Sequence, residues 1–132
     1  MNPEIRYFEK DRKYSESWRD ENDQLHRLDG PAERTWYDGG GLKREAWFVG
    51  GRLHRLDGPA IRLWDRSGHL KQESWYANGT EHRLDGPVHQ RWHRGRQLPS
   101  EEWFINGVQY KTEAEFQVAA DLYKANEIAE LF

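Results

Sequence analysis

His-Arg-Leu-Asp-Gly-Pro is written three times in this chain, at His26 to Pro31, His54 to Pro59 and His82 to Pro87, each copy 28 residues after the last. A fixed period of that size marks a repeat architecture, in which one small supersecondary unit stacks on its neighbours. The seven tryptophans follow the same lattice. Trp36, Trp64 and Trp92 form one series; Trp47, Trp75 and Trp103 form a second, joined by Trp18 with a slip of one residue. Working outward, Pro3 to Phe8 (Pro-Glu-Ile-Arg-Tyr-Phe) mirrors Pro59 to Trp64 (Pro-Ala-Ile-Arg-Leu-Trp), with Phe8 in place of the first Trp. The units therefore run from Pro3 to Gly30, Pro31 to Gly58 and Pro59 to Gly86. A shortened fourth runs from Pro87 to Tyr110, where Tyr replaces the expected His.

Each unit reads as a β-hairpin. Its first strand mixes β-branched, aromatic and polar residues in alternation, as in Ala60-Ile61-Arg62-Leu63-Trp64. Its tip is a turn, such as Asp38-Gly39-Gly40-Gly41, Asp65-Arg66-Ser67-Gly68 or Arg94-Gly95. Its second strand carries Glu-x-Trp, at Glu45/Trp47, Glu73/Trp75 and Glu101/Trp103. Asn78-Gly79 and Asn106-Gly107 are tight-turn dipeptides, and the Asp-Gly-Pro of each corner suits a turn leading into a strand. The expected strands cover 3–8, 13–19, 31–37, 42–48, 59–65, 70–76, 87–93 and 98–104. Two-residue alternation puts Ala60, Arg62 and Trp64 on one face, with Ile61 and Leu63 on the other. Equivalent residues of neighbouring hairpins then form rows, and rows of Trp supply burial that a single-layer sheet otherwise lacks.

From Thr112 the pattern becomes helical. Thr112-Glu113-Ala114-Glu115 is a capping box, and Val118, Leu122, Ala125, Ala129 and Phe132 recur at helical spacing. The segment 112–132 therefore predicts one helix that caps the open end of the sheet or covers one face. The fold class is mainly β. It is an elongated antiparallel sheet of four β-hairpin repeats over 3–110 with one C-terminal capping α-helix, all within a single domain, 1–132.

Composition agrees with a thin structure. The apolar fraction is 36% but aromatics reach 14%, which disordered chains do not show. The absence of cysteine excludes disulfides and thiolate metal sites and fits a reducing compartment. No apolar run reaches the length of a membrane span and no signal-peptide pattern opens the chain, so a cytoplasmic protein without membrane contact is expected. The net charge of −3 is uneven: residues 25–96 carry thirteen basic and nine acidic side chains, whereas 97–132 carry two and seven. That dipole is too weak to name nucleic acid or membrane as partner.

The segment Trp75-Tyr76-Ala77-Asn78-Gly79-Thr80-Glu81-His82 resembles the Trp-x-x-Asn-Gly-x-x-His core of MORN repeats, and Trp47 to His54 and Trp103 to Tyr110 are similar. MORN units are shorter and follow that His with Gly, whereas Arg-Leu-Asp-Gly-Pro follows here. The longer form resembles the His-Arg-x-Asp-Gly-Pro-Ala repeat proteins of bacteriophage, giant-virus and bacterial genomes. The resemblance covers Pro3 to Tyr110 and implies an elongated, twisted hairpin sheet used for protein contacts and in some members for lipid contacts. It carries over no catalytic residue. Phage-borne relatives imply a host factor as partner, for example a component of a defence system that the protein inhibits.

Against that background the chemistry-bearing residues divide simply. His26, His54 and His82 recur at every second strand, about 9.6 Å apart at about 4.8 Å per strand, too far to share one ion. His89 and His93 lie about 13 Å apart along a strand and form no pair either. No metal and no cofactor are expected. His-Arg-Leu-Asp echoes a kinase catalytic loop, but the accompanying motifs are missing, and a catalytic residue is needed once rather than per unit. The corner residues His26, Arg27, Asp29, His54, Arg55, Asp57, His82, Arg83 and Asp85 therefore read as structural, with Arg bridging to Asp or to the Glu series. Asn78-Gly79-Thr80 matches a glycosylation sequon but reads as a turn.

The remaining candidates are Arg34, Trp36, Arg62, Trp64, Gln90 and Trp92, whose Arg-beside-Trp composition is the mix enriched at interface hot spots. They point to a non-enzymatic module that binds another protein. The alternative is a nucleic-acid-binding protein whose Trp and Arg rows stack bases. An enzyme would need a pocket between helix and sheet with converging His and Arg side chains. A lipid-binding role is disfavoured by the net charge.

Overall fold

The computed structural model describes residues 2–9 and 12–131. The first two units and the ribbon after them comprise β1 (Glu4–Phe8), β2 (Arg12–Ser17), β3 (Glu33–Trp36), β4 (Leu42–Ala46), β5 (Phe48–Val49) and β6 (Arg52–Leu53). The remainder comprises β7 (Ile61–Trp64), β8 (Leu70–Ser74), β9 (Tyr76–Ala77), β10 (Thr80–Glu81), β11 (His89–Arg91), β12 (Ser100–Ile105), β13 (Val108–Tyr110) and α1 (Glu113–Glu130). Nine strands form one antiparallel sheet in the order β1-β2-β3-β4-β7-β8-β11-β12-β13, open at β1 and β13. β5–β6 and β9–β10 are separate two-stranded ribbons.

The long hairpins follow the expected alternation, but the strands stop earlier than expected, at Ser17, Ala46 and Ser74. The next residue is always a tryptophan, and its amide still bonds across the sheet: Trp18 to the Ala32 carbonyl and Trp47 to that of Ala60, both at 2.7 Å, and Trp75 to that of Val88 at 2.9 Å. After it the chain doubles back into a ribbon that the sequence pattern marked only by its turn. Gly50-Gly51, Asn78-Gly79 and Asn106-Gly107 all have positive φ at both positions (56° and 80°, 50° and 80°, 47° and 80°), the geometry of a type I′ hairpin turn. In the first unit an Arg19–Leu25 bridge encloses Asp20 to Gln24, one residue more than lies between Phe48 and Leu53. That extra residue is the origin of the Trp18 slip.

The corner segments join each ribbon to the next hairpin and to the next ribbon. His26 Nδ1 accepts the Gly50 amide at 2.9 Å, His54 Nδ1 that of Asn78 at 2.9 Å, and His82 Nδ1 that of Asn106 at 3.0 Å. The backbone repeats the link, with the Arg27 amide on the Phe48 carbonyl at 3.0 Å and that of Arg55 on Tyr76 at 3.1 Å. Within each corner the guanidinium lies flat on the preceding ring, Arg27 over Trp18 at 4.5 Å and Arg55 over Trp47 and Arg83 over Trp75 at 4.1 Å. The same groups donate to Asp29, Asp57 and Asp85 at 3.0–3.1 Å and to the carbonyls of Pro31, Pro59 and Pro87 at 3.0–3.3 Å.

The glycine of Asp-Gly-Pro closes the other side. A Cβ at Gly30, Gly58 or Gly86 would sit 2.7, 2.6 or 2.7 Å from the arginine Cζ. These glycines are required for close approach, not for an unusual backbone angle.

Helix α1 begins where the capping box predicts. The Glu115 amide donates to Thr112 Oγ1 at 3.2 Å, with Thr112 extended at φ −131° and ψ 155°. Phe116 and Ala120 are buried against Ile105, with Leu84, Trp103, Tyr110, Ala119 and Tyr123 packed around them. The sheet-facing stripe is thus not the expected one. Val118, Leu122, Ala125 and Ala129 face solvent, with Val118 71% exposed, and Phe132 lies outside the described residues. The short Lys111-Thr112 link from β13 sets the rotation of the first turn and drops Phe116 onto the last ribbon, where its ring meets Tyr110 at 6.4 Å.

Gly58→Ala should lower stability by about 1–2 kcal/mol, because the new methyl lifts Arg55 off Trp47 and strains its hydrogen bonds. Gly39→Ala, which meets nothing within 4 Å, should be close to neutral. Urea denaturation of both variants distinguishes a packing role for the corner glycine from simple turn flexibility.

Candidate protein interface

One face of the sheet carries a continuous cross-strand row. Glu16 pairs with Arg34, Arg34 with Glu45, Glu45 with Arg62, Arg62 with Glu73, Glu73 with Gln90, and Gln90 with Glu101. Arg34 lies 4.0 Å from Glu16 and 3.5 Å from Glu45, Arg62 donates to Glu73 at 3.0 Å, and Gln90 donates to Glu101 at 3.0 Å. Opposite charges directly across strands stabilise a sheet by about 0.2–1 kcal/mol each. The row is therefore a charge zipper. Its arginines are neutralised on both sides, which removes the isolated positive stripe that a phosphate backbone needs.

Trp36, Trp64 and Trp92 sit beside the zipper toward the hairpin tips, all half-buried. Lys13 lies over the Trp36 ring at 4.9 Å, and the Trp64 carbonyl accepts the Tyr37 hydroxyl at 2.8 Å. The six candidate partner-binding residues thus share one face, but Arg34, Arg62 and Gln90 direct their polar atoms at neighbouring strands.

The corner ends of the same face are more open. Leu28 and Leu56 are 76% and 74% exposed, whereas Leu84, their equivalent in the third corner, is half-buried under α1. A groove runs between successive corners. The first is lined by Leu28, Trp47, Val49, His54 and Leu56 with Arg27 and Arg55. The second is lined by Leu56, Trp75, Ala77, His82 and Leu84 with Arg55 and Arg83. The third position of this series, Leu84, Trp103, Ile105 and Tyr110, is filled by Phe116 and Ala120 of α1. Sequence reasoning passed over the corner leucines because a lone Leu in a turn carries no pattern; their 28-residue recurrence was the available signal.

The opposite face holds a hydrogen-bonded trio that the sequence reading also missed. His89 Nδ1 lies 2.8 Å from Ser74 Oγ, and His89 Nε2 lies 2.5 Å from Glu81 Oε2. Gln72 Nε2 donates to the same Ser74 oxygen at 2.9 Å. These residues look like the parts of a nucleophilic site, but Ser74 is 1% exposed and His89 6%, so no substrate reaches the hydroxyl. One unit earlier the same positions are Ala46, Leu53 and Ile61. A polar cluster has replaced an apolar one as a set, which satisfies each buried polar atom. Burial, then the Glu81 charge, pushes the nearby Tyr76 phenol up.

His93 stands apart from this cluster, its Nε2 3.0 Å from Ser100 Oγ. Among the described residues no group of three or more His, Asp or Glu is placed to hold a metal ion, and no helix is long and apolar enough to cross a membrane.

Two carboxyls are held below the usual range: Asp65 first by the His69 amide and then by that of Ser67, and Asp29 by the Arg27 guanidinium. A depressed carboxyl contributes stability that is present above the unfolded value of about 3.9 and is lost as pH falls through the folded one. Asp65→Ala should therefore lower the melting temperature near neutrality and lose less of it on acidification from about pH 6 to about pH 3 than the wild type does. Parallel slopes for the two proteins would contradict the assignment. The triple exchange Ser74→Ala, Glu81→Leu and His89→Ile should match or exceed wild-type stability. Glu81→Leu alone should cost about 1–3 kcal/mol by stranding a buried imidazole, as read by urea denaturation. In comparisons with known proteins, no family model, curated protein or solved structure matches this chain.

Proposed function

We propose that the chain is a non-enzymatic protein-binding module whose contact surface is the corner side of the sheet. The observation that carries this reading is the pair of leucines, Leu28 and Leu56, projecting at 76% and 74% exposure beside grooves floored by Trp47 and Trp75. Exposed apolar side chains at repeat spacing, next to Trp and Arg, have the make-up of interface anchors ringed by polar groups. The backbone beneath them is held by paired strands and corner bonds, so little ordering entropy is lost on docking. The charge zipper runs alongside and offers partner side chains an alternating register of acid and base. Nucleic acid is the weaker candidate, because each arginine of that row already faces a carboxylate.

Affinity capture from lysate with mass spectrometry tests the reading. The wild type and Arg62→Ala should retain the same stoichiometric partner, and Leu28→Asp/Leu56→Asp should lose it while keeping the wild-type circular dichroism spectrum. Failure to retain any partner at stoichiometric level would overturn the proposal.

A further inference from the structure

The protein-binding reading leaves the chemistry of the partner open, and α1 supplies it. In a repeat array, equivalent positions offer equivalent surfaces, and the third groove already has its occupant. Leu84, Trp103, Ile105 and Tyr110 receive one face of a helix through Phe116, Ala119, Ala120 and Tyr123. These residues are spaced i, i+3, i+4 and i+7, the anchor pattern of a helix laid in a groove. Shifted back by one unit, the lining becomes Leu56, Trp75, Ala77 and His82, and by two units Leu28, Trp47, Val49 and His54. The apolar character is kept at three of four positions, and the fourth changes from Tyr to His.

We infer that the two open grooves each seat an amphipathic α-helix of the partner protein, presenting an aromatic anchor followed by small residues three and four positions on. The inference rests on the protein-binding reading and names the occupant of that site. Two features of the structure narrow it further. Successive grooves are offset by two strands of the main sheet, about 9.6 Å at about 4.8 Å per strand, within the 8–10 Å at which packed helices lie. Helices running along the grooves therefore fit side by side next to α1, without the gap that extended strands would leave. The groove wall adds polarity. His54 and His82 use Nδ1 to accept a turn amide, which places the ring hydrogen of the neutral form on Nε2. Tyr123 of α1 packs beside His82 at 5.8 Å, and its hydroxyl accepts from Asn106 at 3.4 Å. The partner helix should accordingly carry an oxygen acceptor about two turns after its aromatic anchor.

The test uses the full-length chain and a synthetic, end-capped peptide with the sequence of residues 112–131, labelled for fluorescence anisotropy. The expected result is saturable binding of two peptides per chain. Leu28→Asp, which alters the first groove alone, should reduce the stoichiometry to one. Leu56→Asp, which lines both grooves, should weaken binding at least tenfold. A peptide carrying Phe116→Ala should also bind at least tenfold more weakly. Circular dichroism of each variant confirms that the sheet is intact. Peptide binding that survives Leu56→Asp reports exchange with α1 in the third groove or contact elsewhere, and overturns the inference. So does absence of binding up to about millimolar peptide, the level of a very weak complex. The two readings fail separately. A partner captured in a Leu56-dependent manner while the peptide does not bind retains the protein-binding surface and rejects the helical occupant. Peptide binding with the predicted stoichiometry but no captured partner does the reverse.

Discussion

A guanidinium held between an indole ring and a glycine backbone is the contact on which this structure depends. At each corner Arg27, Arg55 or Arg83 stacks on Trp18, Trp47 or Trp75, donates to an aspartate and a proline carbonyl, and leaves no room for a Cβ on the glycine. A cation–π contact is worth about 0.5–2 kcal/mol and a hydrogen bond from a charged donor about 1.5–3 kcal/mol. The corner therefore concentrates several favourable terms on one side chain. That concentration matters because the sheet has little else to bury. Its fully buried apolar positions are mostly small, among them Ala32, Ala46, Ala60 and Val88.

The corner also explains how a single-layer sheet propagates. Strand pairing joins β4 to β7 and β8 to β11, but strands alone are free to slip in register. The histidine of each corner bonds to an amide in the turn of the following ribbon, and the arginine amide bonds to the first strand of that ribbon. Each unit thus sets the position of the next. The zipper of Glu16, Arg34, Glu45, Arg62, Glu73, Gln90 and Glu101 adds a second constraint, since a slip of two residues would break every opposite-charge pair. Gln90 interrupts the alternation where the array nears its cap, and nothing in the structure explains why that position is uncharged.

Termination uses a different device. In the fourth unit Tyr110 replaces the corner His, no corner Arg covers Trp103, and α1 packs there instead. The helix thus stands in for the missing guanidinium and shields the last ribbon from solvent. In doing so it shows what kind of surface a corner groove accepts, while Leu28 and Leu56 keep the two preceding grooves open.

Much of this was legible in the residues. The 28-residue period, the hairpin tips, the Asn-Gly turns and the capping box at Thr112 are local features, and local chemistry decides them. The two faces of each strand followed from period-two geometry, so the rows of Trp and Arg were foreseeable. The Ser74, Glu81 and His89 trio was also visible as a joint departure from Ala46, Leu53 and Ile61, but only to a reader who already knew that those positions meet. What the tertiary structure alone decided is contact across units: which acid faces which arginine, why Gly58 admits no Cβ, and which side of α1 is buried. The helix is the plainest case. Its sequence offers two apolar stripes, and the weaker-looking one, around Phe116 and Ala120, lies inside because a two-residue link from β13 sets the rotation of its first turn. Periodicity reports that a face is apolar. Only the geometry of the attachment determines where that face points.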